Sequence, residues 1–229
     1  MVSDDLLSEL QLFTALNPRT QRCVAEQAVL AEYPARTHLY EQGNPPSALY
    51  ILQAGRVKLY RQSKNKCQIL ALLAPGDYLG AESLSTNSLS AYTATTLTPV
   101  TAITLPPEAL AALLNEYPDF QIAFLRLITD RLKQFVTLVH TLAFRDVASR
   151  LAMVLITRAE TEGQPHDDGV IFDRLLSQQE FAEMVGTARE VVYRTFKRFE
   201  QDELVRLTPN SILVRDLETL RAIALQESR

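Results

Sequence analysis

The sequence predicts an α+β chain in three parts: an antiparallel β barrel or jelly roll, a long helix, and a helix-turn-helix region. Three observations predict it. Between Tyr33 and about Leu105 the chain breaks into short β-branched and aromatic runs separated by turn-forming residues. Apolar residues then recur at spacings of three and four from Leu125 to Leu142. Residues 177–205 hold two amphipathic segments with capping signals that meet at Gly186. At 229 residues, 47% hydrophobic and 22% charged, the chain can build one or two domains with cores of their own.

Taken in order, Leu6, Leu10, Phe13 and Leu16 suggest short amphipathic helical segments. The strand runs follow as Ala48-Leu49-Tyr50-Ile51-Leu52, Arg56-Val57-Lys58-Leu59-Tyr60 and Gln68-Ile69-Leu70-Ala71-Leu72-Leu73. Turn signals lie between and beyond them at Gln42-Gly43-Asn44-Pro45-Pro46, Gln53-Ala54-Gly55, Lys64-Asn65 and Ala74-Pro75-Gly76-Asp77. From Pro118, a favourable first-turn residue, a helix to Phe144 would be roughly 40 Å long. Its stripe of Leu125, Ile128, Leu132, Phe135, Val139 and Leu142 reads as a coiled-coil seam, so a homodimer is expected. The expected divisions are residues 1–117, 118–144 and 145–229, with Asp146 capping a new helix through Ala148, Leu151 and Leu155. Glu162 to Gly169 reads as a surface loop. Strands are expected at Val170-Ile171-Phe172, from Leu204 to Leu207 and from Ser211 to Val214, before a closing helix from Leu217 to Leu225.

The helix-turn-helix region is the most informative. Ser177 can accept from an unpaired amide and Glu180 completes a capping box; Gly186 permits the left-handed turn, and Thr187 can cap the second helix. In that second helix Val192, Phe196 and Phe199 form a buried stripe, leaving Arg189, Glu190, Tyr193, Arg194 and Lys197 outward. Arginine binds guanine through two parallel hydrogen bonds and glutamate accepts from the cytosine amino group, so this face can read G·C pairs. The competing reading is a solvated face with a Glu190–Arg194 ion pair. Net charge is −4, so affinity for DNA must come from a local patch; between Gly186 and Arg198 three arginines and one lysine oppose one glutamate.

The core Val185-Gly186-Thr187-Ala188-Arg189-Glu190-Val191-Val192-Tyr193-Arg194 resembles the winged helix-turn-helix of the cAMP receptor protein/fumarate-nitrate regulator (Crp/Fnr) superfamily of bacterial transcription factors. That resemblance implies base contacts by Arg189, Glu190 and Arg194, with Ser177, Gln178, Thr187, Tyr193 and Lys197 as further DNA contacts. It implies two recognition helices about 34 Å apart on a palindromic operator, and RNA polymerase as a partner in activation. Two departures stand out: Val191 replaces a hydroxyl residue and Tyr193 a small one. The first half resembles the family's cyclic-nucleotide-binding-type jelly roll at Gln42-Gly43, Leu49-Tyr50, Gly55-x-Val57 and Pro75-Gly76-Asp77-Tyr78-Leu79-Gly80. The likeness covers nearly the whole chain.

The family's cAMP chemistry is incomplete. The cassette glutamate is shifted by one position in Gly80-Ala81-Glu82, and Asn87-Ser88-Leu89-Ser90-Ala91-Tyr92 lacks the arginine that neutralises the phosphate. Phe135-Val136 replace the Thr-Ser pair that meets adenine. A buried phosphate without a cation costs several kcal/mol, roughly, so cAMP gating is not expected. The remaining pocket candidates are Gly80, Ala81, Glu82, Ser83, Ser90 and Arg131, among hydroxyls that include Ser85, Ser88, Tyr92 and Thr93; an ordinary solvated loop is the alternative. Arg131 and the Thr141–Leu151 stretch resemble the 2-oxoglutarate-sensing nitrogen-control branch, and His38 could ligate haem as in the carbon-monoxide-sensing branch.

Other chemistry is sparse. Cys23 and Cys67 are far apart, which excludes a four-cysteine cluster within one chain, and Asp167 and Asp168 are adjacent rather than spaced as metal ligands. No cofactor or metal is expected. Asp77 and Glu82 have no accompanying histidine or cysteine, and no phosphate loop or nucleophile motif occurs, so no enzyme is expected. A ligand-binding adaptor without DNA binding is the third class. The acidic start Met1-Val2-Ser3-Asp4-Asp5 and the lack of any run near the roughly 20 apolar residues of a membrane span point to the cytoplasm.

Overall fold

The computed structural model describes residues 10–84 and 89–226; Leu6, Ser85 and Ser88, and Asn87 of the cassette, lie outside the described residues. Two compact units divide between Phe135 and Val136, inside the long helix. In the first, helices α1 (Gln11–Thr14) and α2 (Pro18–Gln27) precede strands β1 (Val29–Tyr33), β2 (His38–Tyr40), β3 (Leu49–Ala54), β4 (Val57–Ser63), β5 (Lys66–Leu73), β6 (Tyr78–Leu79), β7 (Thr93–Thr96) and β8 (Val100–Leu105). These strands form two antiparallel four-stranded sheets, ordered β1-β8-β3-β6 and β2-β7-β4-β5, as expected for a jelly roll. Helices α3 (Pro107–Glu116) and α4 (Pro118–Phe144) follow.

The continuous apolar run in β3 has a simple cause. Tyr50 and Leu52 point into the core shared with Leu59, Leu73 and Leu79, whereas Leu49 and Ile51 pack on the other side with Phe13, Val24, Leu113 and Phe120. Both faces are covered, so the usual alternation disappears. The helices on that outer face are tied together by Asp119, whose carboxylate accepts from the Asn17 amide at 2.9 Å and the Thr20 hydroxyl at 3.0 Å.

Along α4, Ile122, Leu125, Leu132, Val136 and Val139 are each between 53% and 66% exposed. Ile128 is exposed too, whereas Phe135 and Leu142 are half-buried. Ile122 and Val136 thus carry much of the free apolar stripe, because Phe120, Ala123 and Phe124 turn the opposite face of the helix into the core.

The second unit runs from the end of α4 through α5 (Val147–Glu162), β9 (Gln164–His166), β10 (Gly169–Asp173), α6 (Gln178–Val185), α7 (Arg189–Gln201), β11 (Val205–Leu207), β12 (Ser211–Val214) and α8 (Leu217–Ala224). Its sheet has the order β11-β12-β10-β9. Asp146 caps α5 as expected, accepting from the Ser149 amide at 2.7 Å. The expected surface loop from Glu162 to Gly169 is corrected: Gln164–His166 pairs with β10 as an edge strand. All three of its residues are exposed, and Pro165 is tolerated on such an edge, so no hydrophobic pattern marks it. Among the described residues no helix is long and apolar enough to cross a membrane, and no cluster of His, Cys, Asp or Glu could hold a metal ion.

Candidate nucleic-acid interface

The platform is built from α6, a tight turn and α7. Ser177 stands before α6 in extended conformation, its hydroxyl oxygen accepting from the Glu180 amide at 3.2 Å while the Glu180 carboxylate accepts from the Ser177 amide at 3.0 Å. This is the expected capping box, worth about 1 kcal/mol to the helix end. Gly186 has φ 68° and ψ 48°, the left-handed region, and its amide bonds back to the Ala182 carbonyl. The Thr187 amide closes on the same carbonyl at 3.0 Å, a Schellman-type end.

Thr187 does not cap the second helix. Because its amide finishes α6, the cap position of α7 falls on Ala188, which has no side-chain acceptor. In α7, Val192, Phe196 and Phe199 are buried, and the Phe196 ring meets Phe181 edge-on at 5.2 Å. That packing fixes the helix on α6 and turns its other face out.

On the outward face Gln178, Arg189, Glu190, Tyr193 and Arg194 line one open concavity. Among the described residues Glu190 and Arg194 form no ion pair with each other, and both are exposed. Lys197 is different. Its ammonium lies 2.9 Å from the Glu200 carboxylate, which raises its pKa, and Glu200 also accepts from the Leu207 amide at 3.1 Å. Lys197 is therefore engaged by Glu200, the residue that joins α7 to β11, while the Ser177 hydroxyl is engaged by Glu180 at 2.9 Å.

Two supporting arginines have no counterpart in the sequence-predicted set. Arg158, 3% exposed, donates to the Glu162 carboxylate and the Asp173 carbonyl, both at 2.9 Å, and lies over the Phe172 ring at 4.9 Å. It pins α5 to β10. Arg174 donates to the Thr208 carbonyl at 3.2 Å and supports the β11–β12 turn, where Thr208 and Ser211 bond through their hydroxyls at 2.7 Å. The i,i+4 relation of Arg158 and Glu162 was a visible signal; the burial was not.

In the first unit the six pocket candidates are placed as follows. Gly80 has φ 83°, and a Cβ there would stand 2.2 Å from the Ala48 carbonyl oxygen, so the turn demands glycine. Ala81–Leu84 forms a 3-10 turn; within it the Glu82 Oε2 and Ser83 Oγ atoms are buried, as is the Tyr40 hydroxyl, which lies against Gly80 and Tyr92. Burial pushes the Tyr40 and Tyr92 phenols up, and the nearby Glu82 carboxylate pushes in the same direction. The Ser90 hydroxyl donates to the Tyr92 carbonyl at 2.7 Å. Arg131 is held by the Tyr78 carbonyl at 3.0 Å, by Gln134 at 2.8 Å and by Asp77 at 3.7 Å, and it stacks over the Tyr78 ring. His38 bonds through Nδ1 to the Thr95 hydroxyl at 2.7 Å.

The family model for the cyclic nucleotide-binding domain matches residues 30–117, and that for the Crp-like helix-turn-helix domain matches residues 149–223. A CRP-like cAMP-activated global transcriptional regulator of Mycobacterium tuberculosis is 27% identical over 218 residues, spanning 95% of this chain and 97% of that one. The global nitrogen regulator of Synechocystis sp. is 32% identical over 179 residues, 77% of this chain and 80% of that one. Among solved structures, FixK2 from Bradyrhizobium japonicum superposes with a TM-score of 0.76 at 15% identity, covering 88% of this chain and 99% of that one, a likeness of fold.

Proposed function

The chain belongs to the Crp/Fnr superfamily of DNA-binding transcription regulators, and from that premise we propose that it acts as a homodimer on a palindromic operator without cAMP. One observation carries the DNA-reading half of this. Arg189, Glu190 and Arg194 stand free of ion pairs among the described residues, on one concavity of a helix whose other face is locked into the core. Two guanidinium groups and a carboxylate so placed can read base edges in the major groove. Ser177, Gln178, Thr187 and Lys197 flank them as contacts to the DNA backbone, with Lys197 having to leave Glu200 to do so.

The dimer reading is supported by the exposed stripe of Ile122, Leu125, Leu132, Val136 and Val139, an apolar face that a second copy would cover. Two-fold symmetry would then set half-sites about one helical turn apart. Independence from cAMP is supported by the absence of a cation from Leu89 to Tyr92 and by the commitment of Arg131 to Asp77 and Tyr78. The relatives' own names attach cAMP to one and nitrogen regulation to another, so neither effector transfers by likeness alone. We place the protein in the cytoplasm, working with RNA polymerase and without catalysis of its own.

The test is Arg189→Ala against an operator selected by the wild-type protein. Specific binding should weaken by about 1 to 3 kcal/mol while binding to random DNA changes little. Unchanged specific binding would favour an adaptor that does not read DNA through this face.

A further inference from the structure

Tyr193 sits at the centre of the outward face yet has no place in a scheme of charged contacts to G·C pairs. It lies four residues after Arg189 and three after Glu190, so all three share one side of α7. Of the three aromatic rings on that helix, Phe196 and Phe199 are 2% and 0% exposed, whereas Tyr193 is 47% exposed. Its ring lines the same concavity as Gln178, Arg189, Glu190 and Arg194. Among the described residues the Tyr193 hydroxyl makes no hydrogen bond, and the Lys197 ammonium four residues on is its charged neighbour.

In the major groove one base edge offers an apolar group: the 5-methyl of thymine, which aromatic and methyl side chains contact. A broad ring between two arginines covers such a methyl from above while the guanidinium groups take neighbouring guanines. A cytosine at the same place would put a polar edge against the ring. The phenol hydroxyl can instead stay at the wet margin of the groove.

We propose that Tyr193 is a specificity-determining residue that reads a thymine methyl in each half-site, next to the pairs read by Arg189, Glu190 and Arg194. This rests on the DNA-reading role proposed above. It makes the half-site a mixed one, with a required T·A pair that the charged residues alone would not impose.

The test replaces thymines one at a time by deoxyuridine, which lacks only the methyl, in the operator selected by the wild-type full-length protein. At one thymine per half-site the substitution should cost about four-fold in affinity, the worth of burying one methyl group. Tyr193→Ala should abolish that penalty, and Tyr193→Phe, which keeps the ring, should retain it. Because the side chain is exposed, both variants should melt at the wild-type temperature. A deoxyuridine profile identical in wild type and Tyr193→Ala would overturn the inference, as would selected half-sites with no required thymine. Failure of the underlying DNA-reading role shows separately, as the absence of any selected operator or as Arg189→Ala binding like wild type.

Discussion

Leu132→Glu is the perturbation that bears most sharply on assembly. Leu132 is 61% exposed in the single chain, so a carboxylate there disturbs no core and the variant should still fold and unfold cooperatively. In a dimer the same side chain would be covered. Full burial of a leucine is worth about 1.5 to 3 kcal/mol, and the exposed three-fifths of it therefore about 1 to 2 kcal/mol in each protomer. Replacing both copies forfeits that twice and brings two like charges into a drying seam. The expected loss is at least about 3 kcal/mol, more than a hundred-fold in the dimer dissociation constant. Sedimentation velocity over a range of micromolar concentrations reads this directly, with Leu132→Met as the control that keeps the apolar surface. A wild-type protein that sediments as a monomer, or a Leu132→Glu protein that dimerises as the wild type does, would refute the reasoning.

Two further outcomes are expected. Asp146→Ala should lower stability to urea by about 1 kcal/mol at neutral pH, the usual worth of a helix cap. Burial tends to raise the Asp146 carboxyl, but the Ser149 amide and hydroxyl together with Arg198 hold it below its ordinary 3.8. A depressed folded-state pKa means the contribution is present in full above the ordinary value and is lost as pH falls through the lower one, so the gap between wild type and variant should begin to narrow below about pH 4. A gap unchanged between pH 7 and pH 3 would contradict this. Calorimetric titration with cAMP should give no saturable heat at micromolar concentrations, and a binding isotherm there would return the nucleotide to the account.

How much was legible depended on how local the cause is. The capping box of Ser177 and Glu180 and the left-handed Gly186 involve neighbours three or four residues apart, so their pattern predicts the geometry found. Thr187 misleads because a Schellman-type closure uses one more amide than the simplest turn, which moves the next cap to Ala188. The strand Gln164–His166 leaves no trace in hydropathy because every residue on it faces solvent. The free face of α4 depends on which residues the jelly roll claims; only after Phe120 and Phe124 are seen in the core do Ile122 and Val136 emerge on the exposed stripe. Long-range polar engagements were invisible for the same reason. Nothing near Arg131 in sequence announces Tyr78 and Asp77, more than fifty positions away, and nothing near Arg158 announces the Asp173 carbonyl.

The claim on which the rest hangs is that two copies of the α6–α7 platform read one symmetric site. Selection of bound sequences from random double-stranded DNA by the full-length protein, without added nucleotide, tests it most directly. An inverted repeat with G·C pairs in each half-site and half-site centres one helical turn apart should be recovered. Recovery of single, non-repeated sites, or of no enriched sequence at all, would contradict it.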